Sequence, residues 1–210
     1  MTPLFVVLSI LLVIAILFAI IFPKWYKKYR QKNYHKIYGK NIYKIALNED
    51  YYLINDLNLK VSSKQTIKID HLLFGNKFVY VINDLFLLGE IRAKESDRSW
   101  VYKPLDKKTK SRYLDNQIIE GRQRLKVLSK VLPLNETYLI SICVINNDLV
   151  INDFKQGIDQ SKITKIKNLK SLILEYESRD IGLLDEAALD GAVQYISKKS
   201  VKEEKNEELH

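Results

Sequence analysis

The chain has 210 residues, of which 47% are hydrophobic and 28% charged, a composition typical of a folded protein rather than a disordered one. Its net charge is +9, and its single cysteine, Cys143, excludes an internal disulfide. The seven glycines are not clustered and no His/Cys group has zinc spacing, so neither a glycine-rich phosphate loop nor a zinc site is predicted.

The first predicted element is an uncharged apolar helix from Leu4 to Phe22. At a rise of about 1.5 Å per residue it would span roughly 28 Å, close to the thickness of a hydrocarbon core. It lacks the regular polar interruptions of a core helix. It also lacks the basic start and the Ala-x-Ala exit of a cleaved signal peptide. We therefore predict that residues 1–23 form a transmembrane anchor.

A basic and aromatic juxtamembrane segment is predicted at 24–34. The residues expected at the membrane surface are Lys24, Trp25, Lys27, Lys28 and Arg30. By the positive-inside rule, they place a single-pass protein in the cell membrane with its C-terminal domain in the cytoplasm. Anionic lipid headgroups are the expected partners of this segment, because most of the net charge lies beside the membrane.

The next elements are predicted from periodicity and turn residues. A short helix is expected at about 35–47, with Ile37, Ile42, Ile45 and Ala46 available for one face. Strands are expected at 51–57, 66–74, 78–82 and 86–91, with a tight turn at 75–77 between the second and the third. The polar stretch 94–112, around Trp100, is predicted to be a loop of mixed structure.

The second half begins with a predicted helix at 115–132, which Pro133 ends. A buried strand follows at 138–145, with a short partner at 149–151. Residues 163–174 fit either a helix or a strand, 185–197 fit a helix, and 198–210 form a charged tail. This order predicts an α/β domain at 35–197, with a mixed β-sheet flanked by helices.

Several stretches, taken in chain order, resemble the motifs of one family. Its most recognisable motif, usually Gln-Ile-Asp-His followed by apolar residues and a turn, corresponds to Lys68 to Gly75. The other matching positions are the strands 51–57 and 78–82, Gly89, Ile91, Trp100 and Gln117. The ordered set resembles the NERD (nuclease-related) domain from about Tyr38 to about Val144. The resemblance implies a restriction-endonuclease-like core, similar to the PD-(D/E)XK nuclease fold.

The chain departs from this family at the positions of the family's catalytic motif. Asn83 and Leu85 stand in place of the glutamate and lysine of the family's Glu-x-Lys, so the motif is degenerate. Asp70 remains at the position of a metal-binding acid. The resemblance thus implies Mg²⁺ or Mn²⁺ at Asp70 only if the chain is active, and otherwise no cofactor is expected. Lys68 and Lys40 also replace family residues, and we expect one of them to neutralise Asp70.

Two further sets of residues are candidates for function. A rearranged site would hold a metal ion with Asp70 and Glu90, and Arg92 would supply the positively charged side chain. Gln117, the glutamine shared with the family, is a further candidate. The candidate ligands for DNA or RNA are Lys40, Lys68, Lys107, Lys108, Lys110, Arg112 and Arg122. The alternative for these basic residues is an ordinary solvated loop and helix face.

Three functions therefore remain open. The first is a membrane-anchored, non-catalytic NERD-like module that binds nucleic acid or acts as a scaffold. The second is a metal-dependent membrane-associated nuclease with a site around Asp70 and Glu90. The third is a structural membrane protein that recruits protein partners, including other membrane proteins. Dependence on a divalent metal separates the second from the others, and salt-dependent binding to nucleic acid separates the first from the third.

Overall fold

The structure is a computed structural model that describes residues 3–61, 66–106, 108–132, 134–155, 157 and 160–200. The chain divides into two compact units, residues 1–37 and 38–210. A helix, α1 (Pro3–Glu49), begins in the first unit and ends in the second. The two units are described separately below.

The first unit is helical wherever it is described. The predicted apolar segment and the basic segment after it are continuous in α1, and non-helical dihedral angles occur at Asn33 (φ −116°, ψ 18°). The apolar side chains from Ile10 to Phe22 are exposed. By length and composition this helix is able to cross a membrane.

The described residues of the second unit form the end of α1, nine strands and three further helices. In chain order the elements are β1 (Tyr52–Lys60), β2 (Thr66–Phe74), β3 (Val79–Leu85), β4 (Gly89–Arg92), β5 (Ser99–Pro104), β6 (Arg112–Asp115), α2 (Gln117–Val131), β7 (Leu139–Ile145), β8 (Val150–Asn152), β9 (Ser161–Lys165), α3 (Leu169–Glu177) and α4 (Glu186–Lys199). The α/β class is confirmed. The strands, however, form two mixed sheets rather than one.

The first sheet has the order β1-β2-β3-β7-β9. β1, β2 and β3 are antiparallel, whereas β3, β7 and β9 are parallel. The tight turn predicted at 75–77 is present, and Gly75 N donates to Phe78 O at 2.8 Å. Helix α2 packs on one face through Leu125 and Leu128. It approaches closely because Gly121 has no Cβ, which would lie 2.5 Å from Ser141 Oγ.

The second sheet has the order β6-β5-β4-β8. Two of its strands, β5 and β6, lie in the stretch 94–112 and just beyond it, so the prediction of a loop there was wrong. Alternation explains the difference, since Trp100 and Tyr102 are buried while Val101 and Lys103 are exposed. The buried side chains join a cluster with Ile118 of α2. A half-buried strand inside a lysine-rich stretch was thus mistaken for a loop.

The last third of the chain completes the core of the second unit. The ambiguous stretch 163–174 holds the end of β9, a 3₁₀ turn and the start of α3. The helix predicted at 185–197 extends to Lys199, inside the stretch assigned to a tail, and Ser200 forms a β-bridge with Leu59. Pro133 and residues 201–210 lie outside the described part of the chain.

Candidate functional site

Asp70 lies in the middle of β2, opposite Asn83 of the neighbouring β3. It is 8% exposed. Its Oδ2 accepts a hydrogen bond from Asp84 N at 2.8 Å and a longer one from Asn83 Nδ2 at 3.4 Å. The other side-chain atom of Asn83, Oδ1, is buried and no described group hydrogen-bonds to it. Asp70 is therefore held by amide donors of the adjacent strand.

His71 of β2 and Asp84 of β3 contact each other across the same two strands. Their contact joins His71 Nε2 to Asp84 Oδ2 at 3.1 Å, and the Asp84 side chain is fully buried. The second ring nitrogen, His71 Nδ1, lies 2.6 Å from Asn55 Oδ1 of β1. Gly39 of α1 covers the ring so closely that a Cβ would lie 3.3 Å from His71 Cε1. The imidazole thus connects three strands beneath a helix.

Two carboxylates of the second unit meet a minimal requirement for metal binding, since an oxygen of Asp70 and one of Asp84 lie within 4.8 Å of each other. Oδ2 of Asp70 accepts the two hydrogen bonds given above, and Oδ1 of Asp84 is buried. Magnesium prefers near-octahedral oxygen coordination, so these two carboxylates would supply only part of its shell, with water supplying more of it.

The two lysines expected to neutralise Asp70 lie elsewhere. Lys40 and Lys68 are exposed, and among the described residues no lysine nitrogen forms an ion pair with Asp70. Lys68 instead lines a surface cavity of about 310 Å³ together with Glu120 and Arg124 of α2. Those two side chains form an ion pair of 2.9 Å across one helical turn.

The two acids predicted for a rearranged site lie in different sheets. Asp70 belongs to the first sheet, whereas Glu90 and Arg92 are exposed on β4 of the second. Arg92 Nε lies 3.3 Å from Asp153 Oδ2. Gln117 opens α2, and its Nε2 donates to Asp115 O at 3.1 Å. The structure brings a carboxylate oxygen of Asp84 within 4.8 Å of one of Asp70.

The candidate nucleic-acid ligands divide into exposed and paired residues. Lys108, Lys110 and Arg112 are exposed in the β5–β6 hairpin, and the Arg112 guanidinium lies 5.5 Å from the centre of the Tyr102 ring. Arg122 instead donates to Glu95 Oε1 at 2.5 Å. Lys107 lies outside the described residues. Three exposed basic groups of this set therefore lie in one hairpin, while Lys40 and Lys68 are exposed outside it.

Among the predicted membrane-surface residues of the first unit, Lys24, Trp25, Lys27 and Lys28 are exposed and Arg30 is half-buried. The rings of Trp25 and Tyr29 stack with their centroids 5.6 Å apart, one helical turn from each other. The Arg30 guanidinium lies 5.8 Å from the centre of the Tyr26 ring. Stacked aromatic rings beside cationic groups are characteristic of the headgroup layer.

Two residues that the sequence reading did not select organise the second unit. Asn116 is buried, and its Oδ1 accepts from Ile118 N and Ile119 N at the start of α2 while its Nδ2 donates to Glu95 O and Asp97 O. An asparagine before an apolar helical pattern is a recognisable N-cap signal. Glu177 accepts from Lys77 N at 3.0 Å and from the Tyr80 hydroxyl at 2.7 Å, a pairing that no local pattern reveals.

The fold and these contacts define an α/β domain with a polar cluster where β2 meets β3. The family model of the nuclease-related domain, NERD, matches residues 36–146, more than half of the chain. The chain therefore belongs to the NERD family. The matched part runs from α1 through β7 and includes Asp70, Asn83 and Leu85. No curated protein and no solved structure matches the chain.

Proposed function

We propose that this NERD protein is anchored in the cell membrane by α1 and binds DNA or RNA at the cytoplasmic face without cleaving it. The main observation in support of this proposal is the environment of Asp70. Its Oδ2 accepts hydrogen bonds from a backbone amide and an asparagine amide, and Leu85 replaces the lysine of the family motif. Domains of this nuclease-like type are often metal-dependent, and here Asn83 and Leu85 stand where the family resemblance implies the glutamate and lysine that such chemistry uses.

Binding without cleavage requires a basic surface but no reactive group. The exposed side chains of Lys108, Lys110 and Arg112 supply positive charge in one hairpin of the second unit. Cationic side chains bind phosphates with release of counterions, and this term is sufficient for binding that does not depend on sequence. The basic hairpin therefore supports a nucleic-acid partner over a purely protein one.

The anchoring part of the proposal rests on the first unit. Its helix is long and apolar enough to span a bilayer. The apolar residues are followed at once by exposed basic and aromatic side chains. Basic residues flanking a span favour the cytoplasmic side, and anionic headgroups attract each of them by about 1 kcal/mol.

The experiment uses the full chain in nanodiscs of phosphatidylcholine, whose neutral headgroups do not compete for the basic hairpin. End-labelled single- and double-stranded DNA and RNA are added with Mg²⁺, with Mn²⁺ or with EDTA, and both retention and cleavage are measured. Empty nanodiscs and the Asp70→Asn variant are the controls. We expect retention that is insensitive to EDTA, weakens with salt and is the same in Asp70→Asn, and we expect no cleavage.

Two results would contradict the proposal in different ways. Metal-dependent cleavage that Asp70→Asn abolishes would establish a nuclease in which Asp70 is a ligand. Absence of both retention and cleavage would exclude nucleic acid as the partner and favour a scaffold that recruits proteins.

A further inference from the structure

The second sheet has one buried and one exposed face. Ile91, Trp100 and Tyr102 point inward and are buried in the core cluster shared with α2. The residues between them in the strands point outward into solvent. The exposed set consists of Glu90, Arg92, Val101, Lys103, Tyr113, Asp115, Val150 and Asn152. Within the second unit, this outward surface is a sheet face that no described helix covers.

One row of this outward face crosses all four strands in register. Tyr113 of β6 is paired with Val101 of β5, Val101 with Arg92 of β4, and Arg92 with Asn152 of β8. With strands about 4.8 Å apart, the row is roughly 14 Å long. Tyr113 is 77% exposed, and Val101 is 39% exposed beside it. An aromatic ring, an aliphatic side chain and a guanidinium therefore form a continuous flat strip.

The two tyrosines of this sheet differ in their surroundings. Tyr102 is buried, and its hydroxyl donates to Leu88 O at 2.7 Å, which fixes it as part of the fold. Tyr113 has no hydrogen bond, ring contact or ion pair with any described residue. A tyrosine exposed to this extent contributes little to packing, so its ring is available to a ligand.

Positive charge lies directly beside the strip. The β5–β6 hairpin, whose second strand carries Tyr113, exposes Lys103, Lys108, Lys110 and Arg112, and among its described residues the acids Asp106 and Asp115. Within the strip, Arg92 pairs with Asp153, but both side chains are largely exposed, at 77% and 54%. An ion pair this exposed is weak, so Arg92 is able to exchange Asp153 for a phosphate.

We infer that this outward face binds single-stranded nucleic acid, with a base stacked on Tyr113 and phosphates held by Arg92 and the hairpin lysines. The inference rests on the proposed function. It adds which surface of the domain binds the nucleic acid, and that the bound nucleic acid is single-stranded. Aromatic rings on a sheet take up unstacked bases, whereas the bases of a duplex are already stacked on one another. The flat strip and its basic margin thus fit a single strand better than a double helix.

The test measures the Kd of fluorescein-labelled twelve-residue oligo(dT) and oligo(U), and of a twelve-base-pair duplex, for the full chain in phosphatidylcholine nanodiscs. We expect Tyr113→Ala to weaken single-strand binding about tenfold, the usual loss when one stacked base loses its aromatic partner. Tyr113→Phe keeps the ring and is expected to bind like the unaltered chain. Tyr43→Ala, which removes another exposed tyrosine from α1, is the matched control and is expected to change nothing.

The salt dependence of Kd separates stacking from charge. Replacing both Lys108 and Lys110 by Gln is expected to reduce the slope of log K against log salt by about 1.4, or 0.7 for each lost phosphate contact. Tyr113→Ala is expected to leave that slope unchanged, because it removes no charge. Thermal unfolding of each variant checks that the domain remains folded.

The outcomes distinguish the two proposals. Weaker binding by Tyr113→Ala with recovery in Tyr113→Phe supports the inference. Equal binding by Tyr113→Ala and the unaltered chain, or a preference for the duplex, overturns it and leaves the proposed function standing. If the unaltered chain binds none of the oligonucleotides, the proposed function fails and this inference fails with it.

Discussion

The two sheets of the second unit use polar residues in opposite ways. In the first sheet, Asn55, His71 and Asp84 are linked across three strands beneath α1. In the second sheet, Arg92 and Tyr113 stand on a face open to solvent. Polar groups that are buried must satisfy each other, because an unpaired one costs about 1–3 kcal/mol. Exposed polar groups need no partner within the protein, so they can bind a ligand without loss of stability.

Among the variants that test this comparison, Asp84→Ala should cause the largest loss in the free energy of unfolding. It removes the buried carboxylate opposite His71. We expect the free energy of unfolding to fall by about 3 kcal/mol, as when one partner of a buried pair is lost. Urea unfolding in detergent micelles, followed by tryptophan fluorescence, measures it. Asp115→Ala on the exposed second sheet is the control, and an equal loss in both variants would contradict the comparison.

Glu177→Ala is expected to have the second largest effect. It leaves the Tyr80 hydroxyl and Lys77 N without their carboxylate acceptor at the β2–β3 turn. We expect a loss of about 2 kcal/mol in the same unfolding measurement. Glu175→Ala changes an exposed glutamate of the same helix and should cost a few tenths at most. Equal losses would show that the turn does not depend on Glu177.

The first sheet should also lose stability at alkaline pH. Burial raises the pKa of the Cys143 thiol from 9.0 to about 12, and burial together with the Glu177 carboxylate raises the pKa of Tyr80. Groups with raised pKa values stabilise the fold fully below their unfolded pKa and lose that contribution as pH rises above it. We expect about 1 kcal/mol less stability at pH 10 than at pH 8.

Cys143→Ala tests whether the thiol causes the loss of stability at alkaline pH. Without the thiol, the fall between pH 8 and pH 10 should become clearly smaller, although the smaller side chain lowers stability at both pH values. A pH dependence identical to that of the unaltered chain would assign the loss to other groups. In the unaltered chain, thiol reagents should react with Cys143 only on unfolding, because the side chain is buried.

The smallest effects are expected on the outward face of the second sheet. Arg92→Gln removes an exposed ion pair, and Val101→Thr alters a half-exposed side chain. Each should change the free energy of unfolding by less than about 0.5 kcal/mol. A loss of more than 1 kcal/mol in either would mean that this face is buried by something and is not free for a ligand.

Local patterns predicted much of this structure. The apolar run before Phe22 and the turn after Phe74 follow from hydrophobic length and glycine. The division into two sheets did not follow, because alternation predicts a strand but not its neighbours. The pairing of Glu177 with Tyr80 joins residues 97 positions apart, which no local pattern contains.

At the candidate site, local motifs likewise identified the residues but not their contacts. The sequence identified Asp70 and the two replaced motif positions, all within one hairpin. It did not predict that amide donors, rather than Lys40 or Lys68, would be the partners of Asp70. Long lysine side chains adopt many conformations, so their nearness along a strand does not define their contacts.

The position of β7 has a consequence for how the protein is made. β7 is buried throughout, and its second edge pairs with β9, whose residues follow the stretch that the family model matches. During translation that edge stays unpaired until residues 161–165 have left the ribosome, at about 5–20 residues per second. Parallel pairing of distant strands is also slow to form. The nascent chain therefore passes through a stage in which an apolar strand edge is open to chaperones.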